Sequence, residues 1–113
     1  MTTVRSRIPL TELESIARNQ FGDMVKAVVD VERGMMSVGG ELHSDEEAQL
    51  LEDGSRQQQL WGANFYPGIS ADDWVEFDSV INIRPSQCNG SRGIDNQDTR
   101  KAVLAVVNRL VAR

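Results

Sequence analysis

A single cysteine and a single histidine in 113 residues remove several kinds of chemistry at once. Cys88 has no partner for an internal disulfide, and with His43 it falls short of every zinc-site spacing, so neither a structural zinc nor a bound cofactor is expected. Long apolar runs are missing too: nothing approaches the roughly 18 residues of a membrane span, and MTTVRSRIPL lacks the apolar core of a secretory signal. A soluble, cytoplasmic chain with no membrane partner is therefore expected. Positive charge is in the minority, with 12 Lys and Arg against 17 Asp and Glu, a net charge of −5 and a pI of about 4.8. That balance argues against nucleic acid as a partner, unless Arg5, Arg7, Arg84, Arg92 and Arg100 gather into one patch. No heptad series, internal repeat or low-complexity segment is present, which removes coiled-coil and solenoid folds. What remains is one domain over residues 1–113, long enough to bury a core without staples.

Within that domain the apolar spacing switches between helical and extended. Ile8 to Gly22 opens with Thr11 three residues before Glu14, a capping-box pattern, carries Leu13, Ile16 and Ala17 at helical spacing, and stops at Gly22. Before it, Val4 to Ile8 alternates and predicts an additional edge strand. Met24 to Arg33 sets Val25, Ala27, Val29 and Val31 on one face of a strand whose other face is mixed. Arg33 and Gly34 predict a tight turn into Met35 to Val38. Ser44 and Glu47 repeat the capping box ahead of a second helix, with Ala48, Leu50 and Leu51 inward and a stop at Gly54. Gln58 to Tyr66 and Trp74 to Arg84 read as a second hairpin, in which Trp61, Ala63 and Phe65 share a core face with Val75, Phe77, Ile81 and Ile83. That register sends Asn64, Glu76, Asp78, Asn82 and Arg84 to the opposite face. Asp95 caps a last helix to about Ala112, with an apolar stripe of Val103, Val106, Val107, Leu110 and Val111. The order predicts an α+β fold: an antiparallel sheet of four or five strands built from two hairpins, with three helices packed mainly on one face.

Several strings are specific rather than generic: FGDMVKAVVDVE at 21–32, GGELHSDEEAQLLEDGS at 39–55, LWGANFYP at 60–67, FDSVINIRPSQ at 77–87 and SRG at 91–93. Through them the chain resembles a small, mostly bacterial family of uncharacterised proteins, a domain of unknown function, over nearly its whole length after the first helix. The resemblance implies no activity, cofactor or catalytic residue. It departs at Cys88, Asn89 and Gly90, where the family often reads Gly, Asn and a further polar or basic residue. That departure argues against Cys88 as an essential nucleophile.

Unusual residues concentrate between Val75 and Gly93. Arg84 is the strongest single candidate, because a guanidinium at a strand end beside Ser86, Gln87 and Asn89 has the geometry to clamp a carboxylate or phosphate. A cross-strand pair with Asp78 or Glu76 is its plain structural alternative. NGSRGIDN places Ser91 and Arg92 between glycines ahead of a helix, as a phosphate cradle would, but Asp95 and Asp98 crowd that helix end and a capped turn is the simpler reading. His43 is a candidate acid or base if Asp78 or Asn82 lies near it, or a hydrophobic staple against Ala48. Glu41, His43, Asp45 and Glu46 crowd one helix start and do not converge as metal ligands. Asn64 and Tyr66 share the face of Arg84 and would line a pocket with Asp78, Asn82, Gln87 and Asn89, while Gly62 admits a ligand or marks a bulge.

Two functions follow. One is a binding or regulatory module that holds a small anionic ligand, or a partner's polar segment, on the face around Arg84. The other is a small hydrolase or nuclease-like enzyme with His43 as general acid or base and Arg84 stabilising developing negative charge. Met24, Val28, Leu60 and Val80 on the second sheet face would support a homodimer.

Overall fold

The computed structural model of the chain describes residues 1–113, except for the side chains of residues 71 and 72. Along it run β1 (Thr2–Val4), β2 (Ile8–Pro9), α1 (Leu10–Asn19), β3 (Val25–Asp30), β4 (Met35–Val38), α2 (His43–Glu52), β5 (Leu60–Phe65), β6 (Val75–Glu76), α3 (Gln97–Leu110) and β7 (Val111–Ala112). Five strands form an antiparallel sheet in the order β1-β4-β3-β5-β6, and β2 pairs with β7 in parallel, Ile8 opposite Val111. The architecture is α+β. No helix among the described residues is long and apolar enough to cross a membrane.

β3 is central, and both of its faces are covered. Val25, Ala27 and Val29 join Leu13 and Ala17 of α1, Val103 and Val107 of α3, and Trp61, Ala63 and Phe65 of β5 in the main core. Each such valine, leucine or phenylalanine, fully buried, contributes on the order of 1.5–3 kcal/mol, and each alanine less. On the reverse face Val28 packs with Met35, Leu50, Leu60 and Ile81 in a smaller core. Two helices therefore share one face, and α2 covers the other. Val28 and Leu60, expected to support self-association, are completely buried in that smaller core, and of the four residues Val80 alone is strongly exposed, at 62%.

The capping-box spacings fall inside the helices rather than at their starts. Pro9 precedes α1 and Leu42 precedes α2, neither with a side-chain cap. At α3 the cap is Asn96 rather than Asp95, its Oδ1 accepting from the N–H groups of Asp98 at 2.8 Å and Thr99 at 3.1 Å. α2 docks through His43, Glu46, Glu47 and Leu50, an i, i+3, i+4, i+7 stripe that is mostly polar and therefore silent in a search for apolar periodicity; Ala48 and Leu51 are exposed. Gly22 ends α1 at φ +95°, its N–H reaching Ala17 O at 2.7 Å. The first hairpin turns over residues 31–34, where Asp30 Oδ1 accepts from the N–H groups of Glu32 and Arg33, each at 2.9 Å.

The largest correction concerns Trp74 to Arg84. Only Val75 and Glu76 pair, with Phe65 and Asn64, and the chain then leaves the sheet through a 3-10 turn at Val80–Asn82. Phe77 stays at the margin of the main core, Ile81 crosses to the smaller one and Ile83 is exposed, so their alternation does not mark one buried face. Gly62 makes the departure feasible. A Cβ on it would stand 2.5 Å from Ser79 Cβ, so residues 77–84 fold closely over β5 instead of extending beside it.

Candidate functional site

The outward edge of β5 is satisfied in steps of two residues. The Tyr66 N–H donates to Trp74 O at 2.7 Å, and Asn64 pairs with Glu76 of β6. Beyond β6, side chains take over. Gly62 donates its N–H to Asn82 Oδ1 at 2.8 Å and its carbonyl accepts from Asn82 Nδ2 at 3.0 Å, so one side-chain amide supplies both hydrogen bonds of a strand neighbour. Next, Leu60 O accepts from Arg84 Nη2, and Gln58 O from Gln87 Nε2 at 3.1 Å. Asn82 and Arg84, two of the alternating polar row read from the sequence, thus form with Gln87 a latch along the edge of a strand.

Arg84 is engaged throughout this latch. Its Nη1 donates to Gln57 O at 2.5 Å and to Gln87 Oε1 at 3.1 Å, and its guanidinium lies 4.2 Å from the centre of the Trp61 ring. Burial opposes its charge, and Glu47 of α2 supports it. Asp78 pairs with Arg92 instead, at 2.6 Å. Asn89, buried, donates to the carbonyls of Asn82 and Gly93, each at 2.8 Å, and its Oδ1 accepts from the Asp95 N–H at 2.9 Å. Ser91 Oγ donates to Asp95 Oδ1 at 2.7 Å, and exposed Cys88 takes the left-handed conformation, φ 57°, that the turn requires. The loop is organised on its own amides.

A second group gathers where α2 begins over β5. His43 Nε2 lies 2.9 Å from Ala63 O, which only accepts, so Nε2 is the donor and carries a proton. Burial holds His43 below its usual pKa, with Lys26 acting the same way; the Ala63 carbonyl, Asn64 and Asp78 favour the charged ring but do not prevail. Asn64, 6% exposed, donates from Nδ2 to Glu76 Oε1 at 2.9 Å and to Asp78 O at 3.3 Å, while its Oδ1 is buried without a partner. Tyr66 donates its hydroxyl to the same Glu76 oxygen at 3.2 Å. One turn along α2, Glu46 is fully buried, accepts from the Gly40 N–H at 3.0 Å through Oε2, and is pushed up to about 9 by burial, so it is neutral at pH 7.

Four of the expected site residues, His43, Asn64, Tyr66 and Asp78, therefore share one corner, while Asn82, Arg84, Gln87 and Asn89 form the latch and Arg92 links the two through Asp78. Arg84 donates to Leu60 O and His43 to Ala63 O, three residues further along β5, or roughly 10 Å at about 3.3 Å per residue. Lys26 joins the corner without having been singled out from the sequence, Glu46 enters it as a buried acid rather than in the metal set considered for it, and Glu76 as the acceptor of Asn64 and Tyr66 rather than as a partner of Arg84. No hydroxyl or thiol is hydrogen-bonded to His43, and no three His, Cys, Asp or Glu residues are arranged to hold a metal, among the described residues.

A family model described as "Protein of unknown function (DUF5674)" matches residues 2–110. No curated protein and no solved structure matches. The matched span runs from β1 to the end of α3 and takes in both the latch and the corner, and the chain is a member of the DUF5674 family.

Proposed function

We propose that the protein is a small cytoplasmic binding module that takes a hydrogen-bond-donating group, from a ligand or a partner's polar segment, at the corner of His43, Asn64, Tyr66 and Asp78. The observation that carries this reading is the Asn64 Oδ1, buried and without a donor beside a neutral imidazole. An unpaired buried acceptor costs roughly 1–3 kcal/mol, which a donor recovers when it displaces the side chains that cover this oxygen. Glu76 and Asp78 add acceptors there, so an amine or amide suits the corner better than an anion does. An anion at Arg84 would have to displace the Gln57 and Leu60 carbonyls. The lone exposed thiol of Cys88 suits a reducing compartment.

Titration of the labelled protein with putrescine and acetamide tests this. Resonances of His43, Ala63, Asn64 and Tyr66 are expected to shift, and to lose that response in Asn64→Ala. An unchanged response in the variant removes the corner, and movement of the Arg84 side chain with acetate would restore an anion site there. The enzymatic reading ranks second: Asp78 bears on His43, but His43 and Arg84 are too far apart to touch one small reacting group.

A further inference from the structure

Of the five arginines whose gathering would make a nucleic-acid patch, three lie in or near the latch. Arg84 and Arg92 are engaged there, and Arg100 donates to Ile94 O at 2.5 Å over the Phe77 ring. Arg5 and Arg7 meet different companions. They flank Ser6 between β1 and β2, Arg33 and Gly34 stand in the first hairpin turn, and Arg109 lies in the last turn of α3; together these residues line a hollow of about 350 Å³.

Four of the twelve basic side chains of a net acidic protein thus converge on one place. The carboxylate paired with them is Asp53, shared by Arg5 at 2.5 Å and Arg33 at 2.8 Å. Arg7 and Arg109 make no ion pair among the described residues. Three of the guanidiniums are held in place by only part of their donors: Arg5 by Asp53 and by Met35 Sδ at 3.8 Å, Arg33 by Asp53 and by Ser55 Oγ at 2.8 Å, and Arg109 by Gly34 O at 2.6 Å. Gly34 allows that last approach, since a Cβ there would overlap the Arg109 guanidinium. The C-terminal end of α3 opposes an anion with roughly half a negative charge, less than the four guanidiniums supply.

We propose that this hollow binds the phosphate of a phosphorylated small molecule through Arg5, Arg7, Arg33 and Arg109. Guanidinium forks match phosphate oxygens in pairs, and a cleft lined by one sign of charge concentrates its counter-ion. Beyond the contact of Arg109 with Gly34 a second hollow of about 310 Å³, walled by Val31, Ala105, Val106 and by Glu32, whose carboxylate is paired with Arg56, shares Arg33, Gly34 and Arg109 with the first. It receives the organic part of the ligand. Each hollow alone is at the small end of ligand sites, and the two together have an ordinary size. The site lies at the other end of β3 from the corner and does not depend on the reading proposed for that corner.

The test uses the full chain and phenyl phosphate at low salt, followed by amide chemical shifts. Resonances of residues 5–7, 33–34 and 105–110 are expected to move saturably. Arg7→Glu should weaken binding about tenfold or more while leaving Tm unchanged, since Arg7 has no ion-pair partner to lose. Arg18→Glu, the same charge change on an exposed residue of α1, should leave affinity as it was. Absence of shifts at millimolar phenyl phosphate overturns the proposal, and so does an equal loss in the two variants. Tighter, steeply salt-dependent binding of a thymidine oligonucleotide also overturns it, assigning the arginines to a nucleic-acid backbone.

Discussion

Replacing Gly62 with alanine sets a methyl group 2.5 Å from Ser79 Cβ, beneath a segment that is already tied to β5. Overpacking of this kind costs about 1–3 kcal/mol, and removing the opposing carbon should recover most of it. Urea unfolding of Gly62→Ala, Ser79→Gly and the double variant is expected to show the double more stable than the sum of the singles implies. Simple additivity would mean that the two residues do not press on each other. At this scale the sequence was half legible. A glycine within a strand pattern does signal a close approach, but the approaching atoms belong to the chain itself. Asn82 and Asn89 display donors and acceptors in any sequence; that those groups close on Gly62, Gly93 and Asp95 depends on distant backbone, and no local pattern records it.

Among elements, those with an unbroken apolar period, β3, β5 and α3, were visible in advance, because burial on one face is what the period reports. α2 was legible as a helix but with the wrong face inward, because its docking stripe contains His43, Glu46 and Glu47, held against the sheet by specific contacts rather than by apolar character. β6 was overestimated because Asn82 and Arg84 keep a period of two while serving as side-chain substitutes for a strand. Arg84→Lys tests that role. An ammonium cannot span Gln57 O and Leu60 O with a planar fork or stack as well on Trp61, so a loss of about 1–3 kcal/mol is expected, with a change in Trp61 emission. An unchanged unfolding midpoint would show that the latch holds without the guanidinium.

For the molecule as a whole, a half-buried and a buried group one helical turn apart give stability opposite dependences on pH. Glu46 has an ordinary value of 4.5 and about 9 when folded, so its contribution is complete below about pH 4.5 and declines as pH rises towards 9. His43 is held below 6.5, so its contribution is complete above that pH and is lost as pH falls. In Tm profiles Glu46→Gln, which keeps a neutral side chain, is expected to flatten the alkaline decline and leave the acid limb in place; parallel profiles would rule out a neutral Glu46. The latch also bears on how copies of the protein meet. An open sheet edge is a template for another chain, and natural sheets blunt it with short strands or cover. Here β1 is three residues long at one side, and along β5 the outward groups of Gly62, Leu60 and Gln58 are occupied by Asn82, Arg84 and Gln87. Protection against growth of the sheet from one molecule to the next thus resides in three side chains of a loop, and loosening them bares LWGANF, an entirely buried strand, to its neighbours.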